Sequence, residues 1–160
     1  MASMASARGF TLLETVVATG ILVTALAGIA QLFFLSTQLT RQASASGIAL
    51  VAAQDRLESL RAMRFAYDTA GASITDPALQ PSPPSSLDED FEAASDWLDA
   101  RGQAAATADA AAFVRRWRIS RIAGASPDAI AIEVCIFKAP AGADHRSAEA
   151  CLSNIRTRQP

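Results

Sequence analysis

Apolar side chains run almost unbroken from residue 10 to residue 35, and the only ionisable group within that run is Glu14. The run exceeds the roughly 20 residues that a helix needs to cross a bilayer's hydrocarbon core. A carboxylate inside such a segment costs about 2.5–3.5 kcal/mol on insertion scales, which marks it as functional and in want of a partner. A short polar leader, residues 1–9, stands before the run and carries one positive charge, Arg8.

The helical signal continues past the apolar run. No proline occurs before Pro77, and Leu39, Ala43, Ser46, Leu50, Ala53, Leu57 and Leu60 recur at three- and four-residue steps. Such a stripe is one face of a helix, with Gln42, Gln54, Asp55, Arg56, Glu58 and Arg61 largely off it. The spacing predicts one helix over residues 10–63, roughly 80 Å long at 1.5 Å per residue. Its second half packs on a soluble head. Gly20, Gly28 and Gly47 offer points of bending or close approach.

From Arg64 the pattern changes. Asp76-Pro77 and the run from Gln80 to Ser86, with prolines at 81, 83 and 84, read as loop, because proline removes donors and its predecessor avoids helix. Ser86-Leu87-Asp88-Glu89 has the form of a capping box. With Leu87, Phe91, Ala94 and Leu98 at helical spacing, it predicts a short acidic helix that Gly102 ends. Asp88, Glu89, Asp90, Glu92, Asp96 and Asp99 would fill its first turn and solvent face. These acids lack the glycine and terminal glutamate of an EF-hand loop, so no metal is expected. Residues 103–112 are alanine-rich, a helical turn or a connector. Residues 113–122 and 129–137 alternate as half-buried strands, with Ile130, Ile132, Val134 and Ile136 on one face and Glu133 and Cys135 on the other. A further strand is expected over residues 151–158.

The chain has 160 residues and a net charge of −2, with 51% hydrophobic residues and one histidine. That length suits one globular domain beside the apolar segment, and no basic excess points to nucleic acid. Arg115, Arg116, Arg118 and Arg121 cluster around Trp117, a combination that single-strand binders use. The acidic stretch before them offsets this charge, and a solvated strand face is the simpler reading. Asp144-His145-Arg146 has no nucleophile–base or ligand spacing beside it, so neither catalysis nor a cofactor is expected.

Three readings of the N-terminus compete. A secretory signal peptide is one, with Ala25-Leu26-Ala27 before Gly28 as a small-x-small cleavage site. It places Glu14 near the start of the hydrophobic region and leaves Ile29 and Leu32 to Leu35 beyond the cut. A plain membrane anchor explains the length and leaves Glu14 unpartnered. The third rests on Arg8-Gly9-Phe10-Thr11-Leu12-Leu13-Glu14, which strongly resembles the leader of the type IV pilin-like family. In that family the motif is a basic residue, Gly, Phe, Thr, Leu, a branched apolar residue and Glu. The run Ala49-Leu50-Val51-Ala52-Ala53-Gln54-Asp55-Arg56-Leu57-Glu58-Ser59-Leu60-Arg61 is similar to the V-type minor pilins and the I-type minor pseudopilins of type II secretion. Major pilins usually carry a proline about twenty residues into the mature chain, and this chain has Gln31 in that neighbourhood.

The resemblance implies that a prepilin peptidase cuts after Gly9 and that the new amino terminus at Phe10 is N-methylated. Glu14 would pair with the Phe10 amine of a neighbouring subunit and set register, since neither charge is tolerable alone in hydrocarbon. The bland alternative is a carboxylate that snorkels to the headgroups. The fold implied is α+β, a long N-terminal helix, membrane-spanning in its first half, with a small antiparallel sheet on its second. The divisions are residues 1–9 (leader), 10–35 (transmembrane), 36–64 (helix in the head), 65–112 (loop and acidic helix) and 113–160 (sheet). Partners would be the peptidase, other pilins or pseudopilins, an inner-membrane assembly platform and the lipid bilayer. The head would lie in the periplasm before incorporation into a pilus or pseudopilus. Arg8 precedes the span and Arg41 follows it, so charge orients the chain only weakly. In an oxidising compartment Cys135 and Cys151 could form a disulfide, with unpaired thiols the alternative. A tip adhesin or DNA-uptake receptor, and an exported or anchored protein with an accidental leader match, remain the other classes.

Overall fold

Fifty-one residues without proline form one helix, α1, Leu12–Ala62, close to the span that the periodicity predicts. The computed structural model describes residues 11–122, 124, 128–139 and 147–159. The chain divides into two compact units, Met1–Gln42 and Ala43–Pro160.

In the second unit six strands follow the helix: β1 (Phe65–Tyr67), β2 (Ser73–Thr75), β3 (Ser95–Leu98), β4 (Phe113–Arg121), β5 (Ala129–Lys138) and β6 (Ala150–Thr157). The first two form a ribbon, and the others a four-stranded antiparallel sheet in the order β3-β4-β5-β6. The fold is therefore α+β, a long N-terminal helix packed on a small antiparallel sheet. The sheet has one strand more than the sequence alternation marks, because β3 takes the place of the expected acidic helix.

One face of the sheet is built by Phe113, Trp117 and Ile119 of β4 with Ile130, Ile132, Val134 and Ile136 of β5. Against it lie Ala49, Ala52, Ala53, Leu57 and Leu60 of α1, with Ala45 and Ile48 at the margin. The buried stripe coincides with the predicted one at Ala53, Leu57 and Leu60 and departs from it toward the N-terminal side, where Leu50 is 42% exposed and Leu39 57%. The reason is size. Branched residues already fill the sheet face, and alanines on the helix let the two backbones approach closely enough to exclude voids.

Residues 86–98 form turns and β3 in place of a helix. The Ser86 hydroxyl is buried without a hydrogen bond among the described residues, and the Asp88 and Glu89 amides both donate to the Ser85 carbonyl. Tertiary ion pairs outweigh the local signal. Asp96 takes a two-point hydrogen bond from Arg115 at 2.9 and 2.7 Å, and Asp90 accepts from Arg116 Nε at 2.8 Å. Gly102 does hold a left-handed backbone, φ +79°, in a tight turn rather than at a helix end. A Cβ there would sit 3.1 Å from Ile48 Cγ2.

Of the strand arginines, Arg115 and Arg116 are not a solvated face either. The Arg116 side chain is 1% exposed; it donates to the Leu87 and Asp88 carbonyls and lies over the Phe137 ring. Arg115 reaches the Ala52 carbonyl of α1 at 2.9 Å. Arg56, expected on the outer face, stacks 3.8 Å from the Trp117 ring centroid, where burial lowers its pKa from the ordinary guanidinium value. Arg156 of β6 donates to the Leu60 and Met63 carbonyls, meeting acceptors that a helix end leaves open. Arg158 ties Asp128 to the Ala66 and Ile74 carbonyls of the ribbon. A disulfide joins Cys135 and Cys151, which face each other across β5 and β6.

Removing one partner of a buried, hydrogen-bonded ion pair costs roughly 3–5 kcal/mol. Arg116→Ala is accordingly expected to lose about 3 kcal/mol in urea unfolding of the detergent-solubilised chain, and Arg121→Ala, at an exposed strand end, very little. A second prediction concerns acid. The Asp99 carboxylate accepts the Gln103 and Arg101 amides at 2.9 and 2.8 Å, and these bonds hold its pKa below the ordinary value. A lowered carboxylate adds stability that is complete above the unfolded value near ~3.9 and is lost as pH falls through the folded one. Asp99→Asn should therefore be less stable than the parent at neutral pH. The gap should narrow as pH falls below the unfolded value of ~3.9, as compared by urea unfolding at neutral and acid pH.

Candidate functional site

The first unit holds the feature that demands a function. Between Leu12 and Leu35, thirteen large apolar side chains are exposed, from Ile29 at 49% to Leu12 at 82%. They occupy every side of the helix, which distinguishes a membrane span from an amphipathic surface helix. Leaving a Leu, Ile, Val or Phe side chain in water forgoes about 1.5–3 kcal/mol, so thirteen of them need an apolar environment. The described residues include one helix long and apolar enough to cross a membrane, this one, and none of its most apolar stretch is covered by the protein.

Its polar side chains are arranged for the same environment. The hydroxyls of Thr15, Thr19, Thr24 and Thr37 donate to carbonyls three or four residues back, at 2.8–2.9 Å. A hydroxyl satisfied within its own helix brings no open donor into hydrocarbon. Glu14 is different. Its carboxylate lies exposed in the first turn, and among the described residues no hydrogen bond or ion pair reaches it.

The Glu14 backbone explains how the helix starts. Its amide donates to the Thr11 carbonyl at 3.0 Å and to Thr11 Oγ1 at 3.3 Å. Thr11-Leu12-Leu13-Glu14 thus supplies the Ser/Thr-x-x-Glu pattern of a capping box. That signal is visible in the sequence, as is the Ser86-to-Glu89 match, which forms no helix. A negative charge at this position also suits the positive end of the helix. Gly9 and Phe10, the expected cleavage and methylation positions, lie outside the described residues, as does Asp144-His145-Arg146.

The arginine cluster around Trp117 does not form an open basic groove. Arg115 binds Asp96, Arg116 binds Asp90 and Arg118 binds Glu133, while Trp117 is 6% exposed. Among the described residues, no group of three or more His, Cys, Asp and Glu side chains is placed to hold a metal ion. The acids at 88–99 are spread over turns and β3.

The membrane assignment is tested by charge. A Leu22→Arg substitution near the middle of the apolar stretch should add about 2.5–3.5 kcal/mol to insertion. The expected readout is a larger fraction of chain extracted from membranes by alkaline carbonate. Equal retention of parent and variant would show that lipid does not surround this helix. Comparison of the chain with protein-family models, with curated proteins and with solved structures finds no match; what stands is a candidate membrane-spanning N-terminal helix with a small antiparallel sheet on its C-terminal part, an architecture compatible with pilin-like subunits.

Proposed function

We propose that this chain is a filament subunit of the minor pilin or pseudopilin kind, which is cut after Gly9 and incorporated through α1 into a type IV pilus or a type II secretion pseudopilus. The observation that carries the reading is the all-round apolar exposure of α1 beginning at Leu12, directly after Arg8-Gly9-Phe10-Thr11. A lipid phase meets the demand of those side chains before assembly, and the apolar segments of neighbouring subunits meet it afterwards. The role is assembly, priming or tip specificity, and no chemistry is assigned to the head.

Glu14 is the position where assembly would be read. Cleavage after Gly9 creates an amine at Phe10, largely protonated at neutral pH since its pKa lies near ~7.7–8.0. An incoming subunit that places this amine beside a neighbour's Glu14 removes two uncompensated charges from hydrocarbon at once. The interlocking ion pairs of Arg115, Arg116 and Arg118 weigh against a DNA-receptor reading, because the guanidinium groups are already engaged.

Mass spectrometry of the mature N-terminus, with and without the prepilin peptidase, is the direct test. A chain that begins at N-methylated Phe10 only when the peptidase is present is expected; a start at Gly28, or an uncut chain, rejects the reading. The charge at Glu14 is tested by Glu14→Gln, which keeps the backbone hydrogen bonds from residue 14 to Thr11 and removes the charge. The variant should be cut normally and fail to enter filaments. Normal incorporation would remove the pairing role.

A further inference from the structure

Among the described residues, the strand edges of the four-stranded sheet are closed except at β6. At β3, Ala104 bridges to Leu98 and the Ala105 amide donates to the Trp97 carbonyl. Where β4 outruns β3, its Trp117 amide donates to Ala94, the Ser82 amide donates to Ile119, and the Ile119 amide donates to the Ser82 hydroxyl. Beyond β6, Gln159 bridges to Ala66 of β1. Along β6 itself no described residue pairs with the outer edge.

Register says which groups are left open. The Arg158 amide donates to the Asp128 carbonyl, so hydrogen-bonded pairs recur at every second position along the β5–β6 ladder. Cys135 and Cys151 fall between them, with Cα atoms 4.2 Å apart, near the ~4.5 Å of a non-hydrogen-bonded pair. Cys151, Ser153, Ile155 and Thr157 consequently turn their amides and carbonyls away from β5. An exposed edge of this kind templates another strand, and natural proteins usually guard it with lysine, proline or a bulge. Here β6 reads Ala-Cys-Leu-Ser-Asn-Ile-Arg-Thr. Its one charge, Arg156, is turned to the end of α1, and Ile155 is 67% exposed. The disulfide to β5 pins this strand, so the open edge is held in fixed register.

Charge beside the edge narrows the occupant. Arg61, Ile155 and Arg156 border a recess of about 280 Å³ with Asn154, Thr157 and Gln159. The acid among the residues placed here is Glu58, which Arg61 contacts at 2.7 Å. Burial first, and the Arg61 charge second, lower the Arg156 pKa from the ordinary guanidinium value. Two guanidinium groups against one carboxylate leave the recess net positive, with the Arg156 acceptors neutral carbonyls, which suits an acidic occupant.

We propose that the outer edge of β6 is a docking site for an extended segment of a partner polypeptide, which joins the sheet as an added strand and sets an acidic side chain against Arg61 and Arg156. Main-chain hydrogen bonds to Cys151, Ser153, Ile155 and Thr157 supply the binding, and the recess supplies selectivity. The inference rests on the head alone and holds whether or not the chain enters a filament.

The test uses the full chain in detergent micelles and two labelled synthetic peptides, one alternating valine with glutamate and one alternating valine with lysine. Saturable binding of the glutamate peptide is expected, with slowed hydrogen exchange at the Ser153 and Ile155 amides and about tenfold weaker binding of the lysine peptide. Ile155→Lys places a guarding charge on the edge, and Arg61→Glu reverses the recess. Each should weaken the glutamate peptide about tenfold while thermal unfolding and β5–β6 amide protection stay unchanged. Absence of saturable binding, protection at other amides, or equal binding of both peptides overturns the proposal. Protection of the same amides without peptide, rising with protein concentration, also overturns it by assigning the edge to a second copy.

Discussion

A small sheet with one apolar face is stable in water only when something covers that face, and in this protein α1 is the cover. The contact is made by alanines at 49, 52 and 53 with Leu57 and Leu60, set against Ile132, Val134 and Ile136. Small residues on the helix and β-branched residues on the strands are complementary choices: the helix contributes proximity and the sheet contributes bulk. The position of the ribbon, the turns and the ion pairs follows from where this packing puts the two backbones.

Polar groups around the core are handled chiefly by arginine. Arg115 and Arg116, adjacent on β4, point to opposite faces of the sheet. The first reaches the Ala52 carbonyl of α1 and the second the carbonyls of Leu87 and Asp88. Arg156 and Arg158 do the same work at the helix end and under the β1–β2 ribbon. A guanidinium offers five donors in a fixed plane on a long apolar stem, so it can serve several backbone acceptors and one carboxylate at once. That is why irregular segments close over this sheet without regular structure of their own.

The chain is also divided by solvent. Between Leu12 and Leu35 the polar side chains are threonines that bond within the helix, Gln31 and one carboxylate; in the second unit, Arg115, Arg116 and Arg158 are largely buried and paired with carboxylates. The division bears on how a filament subunit would be built. A segment without self-satisfied polar groups would resist lipid, and a head without paired charges would lack definition in water.

Local pattern alone determined much of the architecture. The proline-free apolar run and the recurring stripe specify the long helix, and the alternation over residues 113–122, 129–137 and 151–158 specifies three strands within a residue of their bounds, because periodicity is a property of neighbours in sequence. The leader motif around Gly9 and Phe10 is likewise a statement of sequence, independent of any packing. The stripe marked Ala53, Leu57 and Leu60 correctly, and only the tertiary structure decided that Ala49 and Ala52 rather than Leu50 are buried above them, since the sheet selects small residues that let it approach. It also decided that Ser86 to Leu98 bends into turns and β3: Asp90 and Asp96 meet arginines distant in sequence, and no local propensity records that attraction. The same holds for the burial of Arg116 and for the sheet edge that no described residue covers, both of which depend on contacts distant in sequence.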